Sequence, residues 1–199
     1  PALDYCVTKV PRWDLGKFHG ANRVLGSAMA SVGEVMAVGR TFEESFQKAL
    51  RMVDPSNPGF APLDGLDSSD AALEEKLVVP TDRRVWGIAE ALYKGAGWDK
   101  HRVRDLTKID DWFLSRLDKI AALGRDGGFW AGLKPLVAGR DASAGGPLLR
   151  AKQLGFTDAQ IAGYLGVSDD DARAAREACG VVPRVKQIDT LAAEYAAET

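Results

Sequence analysis

The residues of this sequence best suited to chemistry are two histidines, two cysteines and a few clusters of carboxylates. His19 and His101 are the only imidazoles and lie far apart, with no paired cysteine beside either, so no zinc-type ligand spacing exists. Both read as surface or locally satisfied histidines. Cys6 sits in an alternating segment without a neighbouring base, and a thiol becomes a nucleophile only where a base or a positive field favours the thiolate. It reads as a small core residue. Neither GxGxxG nor GxxxxGK followed by Ser or Thr occurs, so no glycine loop is built to cradle phosphate. Gly127-Gly128 and Gly145-Gly146 read as turns. The sequence therefore predicts no catalytic residue, no cofactor-binding residue and no metal ligand within the chain.

Residues 155–178 have the spacing of a helix-turn-helix DNA reader: a helix, a Leu165-Gly166-Val167 turn, and Ser168 capping a second helix. A recognition helix meets base edges and phosphates with its first turn. Here that turn is Asp169, Asp170 and Asp171, which suit the positive end of a helix dipole and repel phosphate. A DNA-binding regulator stands as the alternative to a plain helical hairpin, and a non-catalytic scaffold module as a third reading.

Trp112 and Phe113 are a large apolar payload on one helix. They serve either the core or a subunit contact, since aromatic side chains concentrate at interface centres. Glu34 and Arg40 bracket a strand and are candidates for a pair across a domain boundary. Trp112, Phe113, Glu34 and Arg40 are thus the candidate interface residues. Lys9, Arg12, Lys17 and Arg23 read as a solvated face or an inter-domain seam.

Positioning these residues requires a particular set of elements. Tyr5 and Val7, with Leu3, alternate against Asp4, Cys6 and Thr8 as in a strand, which Pro11 limits. Residues 34–38 read as a buried strand ended by Gly39. Thr41 and Glu44 fit a capping box. Behind it Phe42, Ser45, Phe46, Ala49, Leu50 and Val53 share a helical face, with Ser45 its one polar member. After the Pro/Gly-rich residues 54–59, strand signals vanish. Val85, Ile88, Ala89 and Leu92 have helical spacing ahead of Gly95. Thr107 and Asp110 match a cap for a helix whose apolar face is Ile109, Trp112, Phe113, Leu117, Ile120 and Ala121, stopped by Gly124. Seven glycines between Gly124 and Gly146 predict irregular chain there. Three short capped helices follow, closed by Gly155, Gly166 and Gly180.

The chain has 199 residues, 46% hydrophobic and 27% charged, enough to build a core without disulfides or metals. With 26 basic against 28 acidic side chains it lacks the cationic excess of a general nucleic-acid binder. No apolar run reaches the ~20 residues of a membrane span. Two cysteines make no disulfide scaffold, which favours a reducing compartment. The first residues, PALDYCVTKVP, carry no Met, and the last, LAAEYAAET, are still amphipathic. An excised fragment is the expectation.

Three stretches carry a resemblance: residues 4–14 (DYCVTKVPRWD), 31–51 (SVGEVMAVGRTFEESFQKALR) and 185–194 (VKQIDTLAAE). In this order and spacing they resemble the middle of the large chain of carbamoyl-phosphate synthase. Residues 106–114 (LTKIDDWFL) and 152–156 (KQLGF) are similar to the helical segment between them. Residues 11–15, 18–20 and 186–191 look closer to eukaryotic members. Residues 125–146 depart from the family pattern, being rich in Gly and Ala where a more polar helical stretch is usual.

The resemblance implies a mainly α fold: a helical oligomerisation domain preceded by a small strand-and-helix element from the end of an ATP-grasp domain. It places the closing part of the first, carboxyphosphate-forming half at residues 1–53. The oligomerisation domain then takes 54–182, and the lead into the second, carbamoyl-phosphate-forming half takes 183–199. The parent enzyme would make carbamoyl phosphate from bicarbonate, ammonia released from glutamine, and two ATP with magnesium. The segment itself would hold no cofactor. Implied partners are the remaining ATP-grasp domains, a glutamine amidotransferase subunit or domain, and further copies in a homo-oligomer, with neither nucleic acid nor membrane. The expected location is cytoplasmic, or mitochondrial.

Overall fold

A computed structural model describes residues 4–63, 65–66 and 68–189 of the chain. Leu3 of the expected alternation, and residues 190–199 of the expected lead into a second half, lie outside the described residues. Among these residues the fold is mainly α, with nine α-helices and one small antiparallel sheet. The sheet has two strands, β1 (Cys6–Arg12) and β2 (Gly33–Gly39). Two compact units result. One takes the described residues up to Thr8, then Ala37–Lys48, then those from Gly127 onward; the other takes Lys9–Met36 and Ala49–Asp126.

In β1 the buried positions are Thr8 and Val10, while Val7 is exposed. The strand therefore turns the opposite face inward from the one its alternation of apolar residues suggests. The reason lies in α1 (Phe42–Val53). Ser45 is wholly buried on that helix, and its hydroxyl lies 2.7 Å from Thr8 Oγ1, with Oγ also donating to Phe42 O. A buried hydroxyl needs a partner, and Thr8 supplies it from inside the sheet. Pro11 lies within β1 rather than ending it. In β2 only Ala37 and Gly39 are buried, and Met36 is exposed, so this strand is covered on one face.

Lys9–Met36 and Ala49–Asp126 hold four helices: α2 (Asp70–Val78), α3 (Arg84–Lys94), α4 (Lys100–Thr107) and α5 (Asp111–Gly124). Ser69, Asp99 and Asp110 cap α2, α4 and α5, each accepting a backbone N–H with its side chain. Thr107, expected as a cap, instead belongs to the end of α4, where its hydroxyl donates to Val103 O. Packing of α2 on α3 and α4, and of α3 and α4 on α5, encloses Leu73, Leu77, Ile88, Leu92, Trp98, Val103, Leu114 and Ile120. Gly124 passes so close to Tyr93 that a Cβ would fall 2.3 Å from its hydroxyl oxygen. Tyr93 donates that hydroxyl to Phe60 O.

The other unit contains α6 (Gly127–Ala138), α7 (Gly145–Gln153), α8 (Asp158–Leu165) and α9 (Asp169–Ala178). The glycine-rich stretch expected to be irregular is thus largely helical. Trp130, Leu133 and Val137 recur at i, i+3 and i+7 and are all buried. Their burial contributes about 1.5–3 kcal/mol each, which outweighs the roughly 1 kcal/mol that each helical glycine costs. Trp130 stacks on Tyr164 at 4.5 Å and 6°. The three short units stand as expected, and the second and third carry side-chain caps. Thr157 and Gln160 form a reciprocal capping box, Gly166 ends α8 in the left-handed region, and Ser168 accepts from Asp171 N. Gly155 has φ +83°, and a Cβ there would meet Glu44 Cα and Gln47 Cβ at 3.1 Å each. That close approach lets buried Gln47 donate to Leu154 O.

Candidate functional site

Trp112 and Phe113 follow Asp111 in the first turn of α5, just beyond its Asp110 cap. They are 49% and 45% exposed, against complete burial of Leu114 and Ile120 on the same helix. The rings meet edge to face at 5.1 Å, and the Arg116 guanidinium lies 4.9 Å over Trp112. Such contacts stiffen an aromatic pair at the surface. The core reading of these two residues is therefore wrong. The buried stripe runs through Leu114, Leu117, Ile120, Ala121 and Leu123, keeping Leu117, Ile120 and Ala121 of the expected face and taking Leu114 in place of Trp112 and Phe113.

Glu34 and Arg40 do not meet each other. Glu34 pairs with Lys9 at 2.9 Å, and Arg40 lies 3.4 Å from Asp4. All four of these side chains are well exposed, so each pair is worth at most about 1 kcal/mol. The four interface candidates thus separate into one aromatic patch and two unrelated surface ion pairs.

Reactive constellations are sparse. Among the described residues no group of three or more His, Cys, Asp or Glu side chains is arranged to hold a metal ion. His19 and His101 are exposed, and Cys6 and Cys179 are free thiols, both half-buried. A cavity of about 300 Å³ beside α3 is lined by Arg23, Lys76, Trp86 and Glu90. Its charges are matched locally. Arg23 forks onto Asp82 at 2.9–3.0 Å, Lys76 Nζ reaches Glu90 at 2.9 Å, and Ser68 N donates to the same carboxylate. Burial pushes the Glu90 carboxyl up, but Lys76 and Ser68 together hold it below its ordinary value.

The α8–α9 hairpin has helix-turn-helix spacing but not the electrostatics. Its second helix presents Asp169, Asp170 and Asp171 to solvent in the first turn. Arg176 points inward, where it forks onto Asp158, with Nε to Oδ1 and Nη2 to Oδ2 both 3.0 Å. Lys152 reaches the same carboxylate at 3.1 Å. The basic side chain that a DNA reader needs outside is spent inside, tying α7, α8 and α9 together.

Comparison with known proteins decides the family. The family described as carbamoyl-phosphate synthetase large chain, oligomerisation domain, matches residues 34–180. The chain belongs to this family. The arginine-specific carbamoyl phosphate synthase large chain, mitochondrial, of Schizosaccharomyces pombe is 50% identical over the whole chain. Carbamoyl-phosphate synthase (ammonia), mitochondrial, of Aquarana catesbeiana is 48% identical, and the multifunctional protein pyr-3 of Neurospora crassa 45%, again over the whole chain. The chain spans 16%, 13% and 10% of these three proteins. None of this supports the DNA-binding alternative, in line with the acidic first turn of α9. Some relatives are named as mitochondrial carbamoyl-phosphate synthases and some as multifunctional proteins. No described helix is long and apolar enough to cross a membrane.

Proposed function

We propose that the chain is the central spacer of a carbamoyl-phosphate-synthesising ligase. It connects and orients two ATP-grasp halves and carries a contact surface for further subunits. The parent enzyme would use bicarbonate, ammonia delivered from glutamine by an amidotransferase subunit or domain, and two ATP with magnesium. Supporting this reading is the whole-length similarity to large chains of that enzyme, centred on an oligomerisation domain. On this proposal residues 1–53 belong with the first half, 54–182 form the oligomerisation domain and 183–199 lead toward the second half. The cell compartment follows that of the parent enzyme, cytoplasmic or mitochondrial. The segment's contribution is positional. Holding two sites at fixed separation lets a labile intermediate pass between them instead of meeting bulk water.

Bicarbonate-dependent ATP turnover should be at background in the isolated chain, and robust turnover would refute the spacer role. The Trp112–Phe113 patch is the proposed subunit contact. Trp112→Ala should lower the mass measured by light scattering toward the monomer and weaken association at least tenfold, as truncating an interface aromatic does. Its unfolding free energy should stay within about 1 kcal/mol of the parent, because half of the ring is already in water. An unchanged mass in the variant would leave the patch without this role.

A further inference from the structure

Within the unit containing α6–α9, the start of β1, the β2–α1 junction and residues 182–188 enclose a cavity of about 370 Å³. Four cations line it, Arg40, Lys48, Arg184 and Lys186, against two carboxylates, Asp4 and Glu44. This excess of positive charge sits in a chain whose net charge is −2.

Both carboxylates are already engaged. Asp4 takes Arg40 Nη1 at 3.4 Å. Glu44 Oε2 accepts the Arg40 backbone N–H at 2.9 Å, and Oε1 lies 3.5 Å from Lys48 Nζ, which itself donates to Val38 O. Gly39 fixes this corner, since a Cβ there would press on Ser45 N at 3.0 Å and on the Glu44 carboxylate at 3.2 Å. Neither carboxylate can swing across without breaking these contacts. Arg184 and Lys186 also line the cavity, exposed, with no hydrogen bond or ion pair to any described residue. Among the described residues two cations therefore remain unmatched beside a cavity with half-buried Tyr5, Val38 and Ile188 in its lining.

The geometry points to a binding site for a phosphate group, with Arg184 and Lys186 as its charge partners. A guanidinium fork matches two phosphate oxygens at once, and an ammonium adds a mobile point charge. Two unmatched cations suit the dianion, which predominates above about pH 7. The volume exceeds what free phosphate fills and lies in the range of small-molecule pockets. Tyr5, Val38 and Ile188 give an ester's organic part an apolar surface. The site is independent of the ligase reading, because it is defined and tested on this chain alone.

Amide chemical shifts of the ¹⁵N-labelled 199-residue chain, titrated at pH 8 with inorganic phosphate and with phenyl phosphate at constant ionic strength, test the site. Saturable shifts at residues 38–40 and 184–188 are expected with at least one probe. Tighter binding of phenyl phosphate assigns the site to a phosphate ester, and equal or tighter binding of inorganic phosphate assigns it to the free ion. The Arg184→Gln/Lys186→Gln double variant should weaken saturation about tenfold. Both side chains are exposed, so its circular dichroism should match the parent. Shifts that never saturate, that sodium chloride reproduces, or that persist unchanged in the double variant overturn the proposal.

Discussion

Asp158→Ala is expected to destabilise the unit built from α6–α9 by about 3 kcal/mol, the lower end of the cost of breaking a buried charge pair. Arg176 is only 7% exposed, and without Asp158 the one carboxylate left near its fork is the exposed Glu177, at 3.6 Å. Lys152 loses this 3.1 Å contact in the same step. Urea unfolding followed by the fluorescence of Trp130 would read the change. Asp158→Asn tests the charge alone and should also alter the acid limb. Burial pushes the Asp158 carboxyl up, but hydrogen bonds and charge from Arg176 and Lys152 hold it below its ordinary value. The stabilisation from this depressed carboxyl is full above the unfolded value, near pH 4, and is lost as pH falls through the folded value. The Asn variant should therefore be less stable at pH 7 and lose less stability between pH 4 and pH 2. An acid limb as steep as the parent's would assign the acid sensitivity of this unit to other groups.

Trp98→Ala should cost the α2–α5 unit about 3–5 kcal/mol, the usual range for emptying a buried indole site. Trp98 is 1% exposed. Its Nε1–H donates to Asp70 Oδ1 at 3.0 Å, and the Arg102 guanidinium stacks 3.7 Å from its ring. One truncation thus opens a cavity, unstacks a cation and frees a carboxylate. In a chain of this length the thermal midpoint should fall by roughly 10 °C. Trp98→Phe separates the contributions, because it keeps most of the ring and removes only the N–H. The Asp70 carboxyl, held low chiefly by that N–H, should then titrate closer to its ordinary value while most of the stability remains. A Phe variant as unstable as the Ala variant would show that the hydrogen bond, not the packing, dominates.

How far the fold is legible beforehand varies with the local chemistry. The α8–α9 hairpin is the clearest case, because Thr157, Gln160, Gly166 and Ser168 are local signals that depend on nothing distant. Counting glycines fails for α6: the period of Trp130, Leu133 and Val137 was the better signal, and its strength comes from partners such as Tyr164 that are remote in sequence. The short helices α2 and α4 pass unnoticed because each has a single cap residue and only two buried positions. Alternation locates β1 but not its inner face, which Ser45 decides from 37 residues away. For the candidate site, residue type alone marks Trp112 and Phe113, and only the packing of α5 shows that they face water. The cavity lined by Arg184 and Lys186 joins segments distant in sequence, residues 4–5 and 38–48 with 182–188, and nothing local announces it.

The Thr8–Ser45 pair constrains how this sequence is free to drift. Losing the Ser45 hydroxyl strands Thr8 Oγ1 in a dry interior, whereas Ser45 keeps its bond to Phe42 O when Thr8 is lost. The constraint is therefore one-sided: Ala at 45 becomes tolerable once Val stands at 8, while Val at 8 is tolerable with Ser45 in place. Descendants of this chain that have lost the hydroxyl at 45 should also have lost the one at 8.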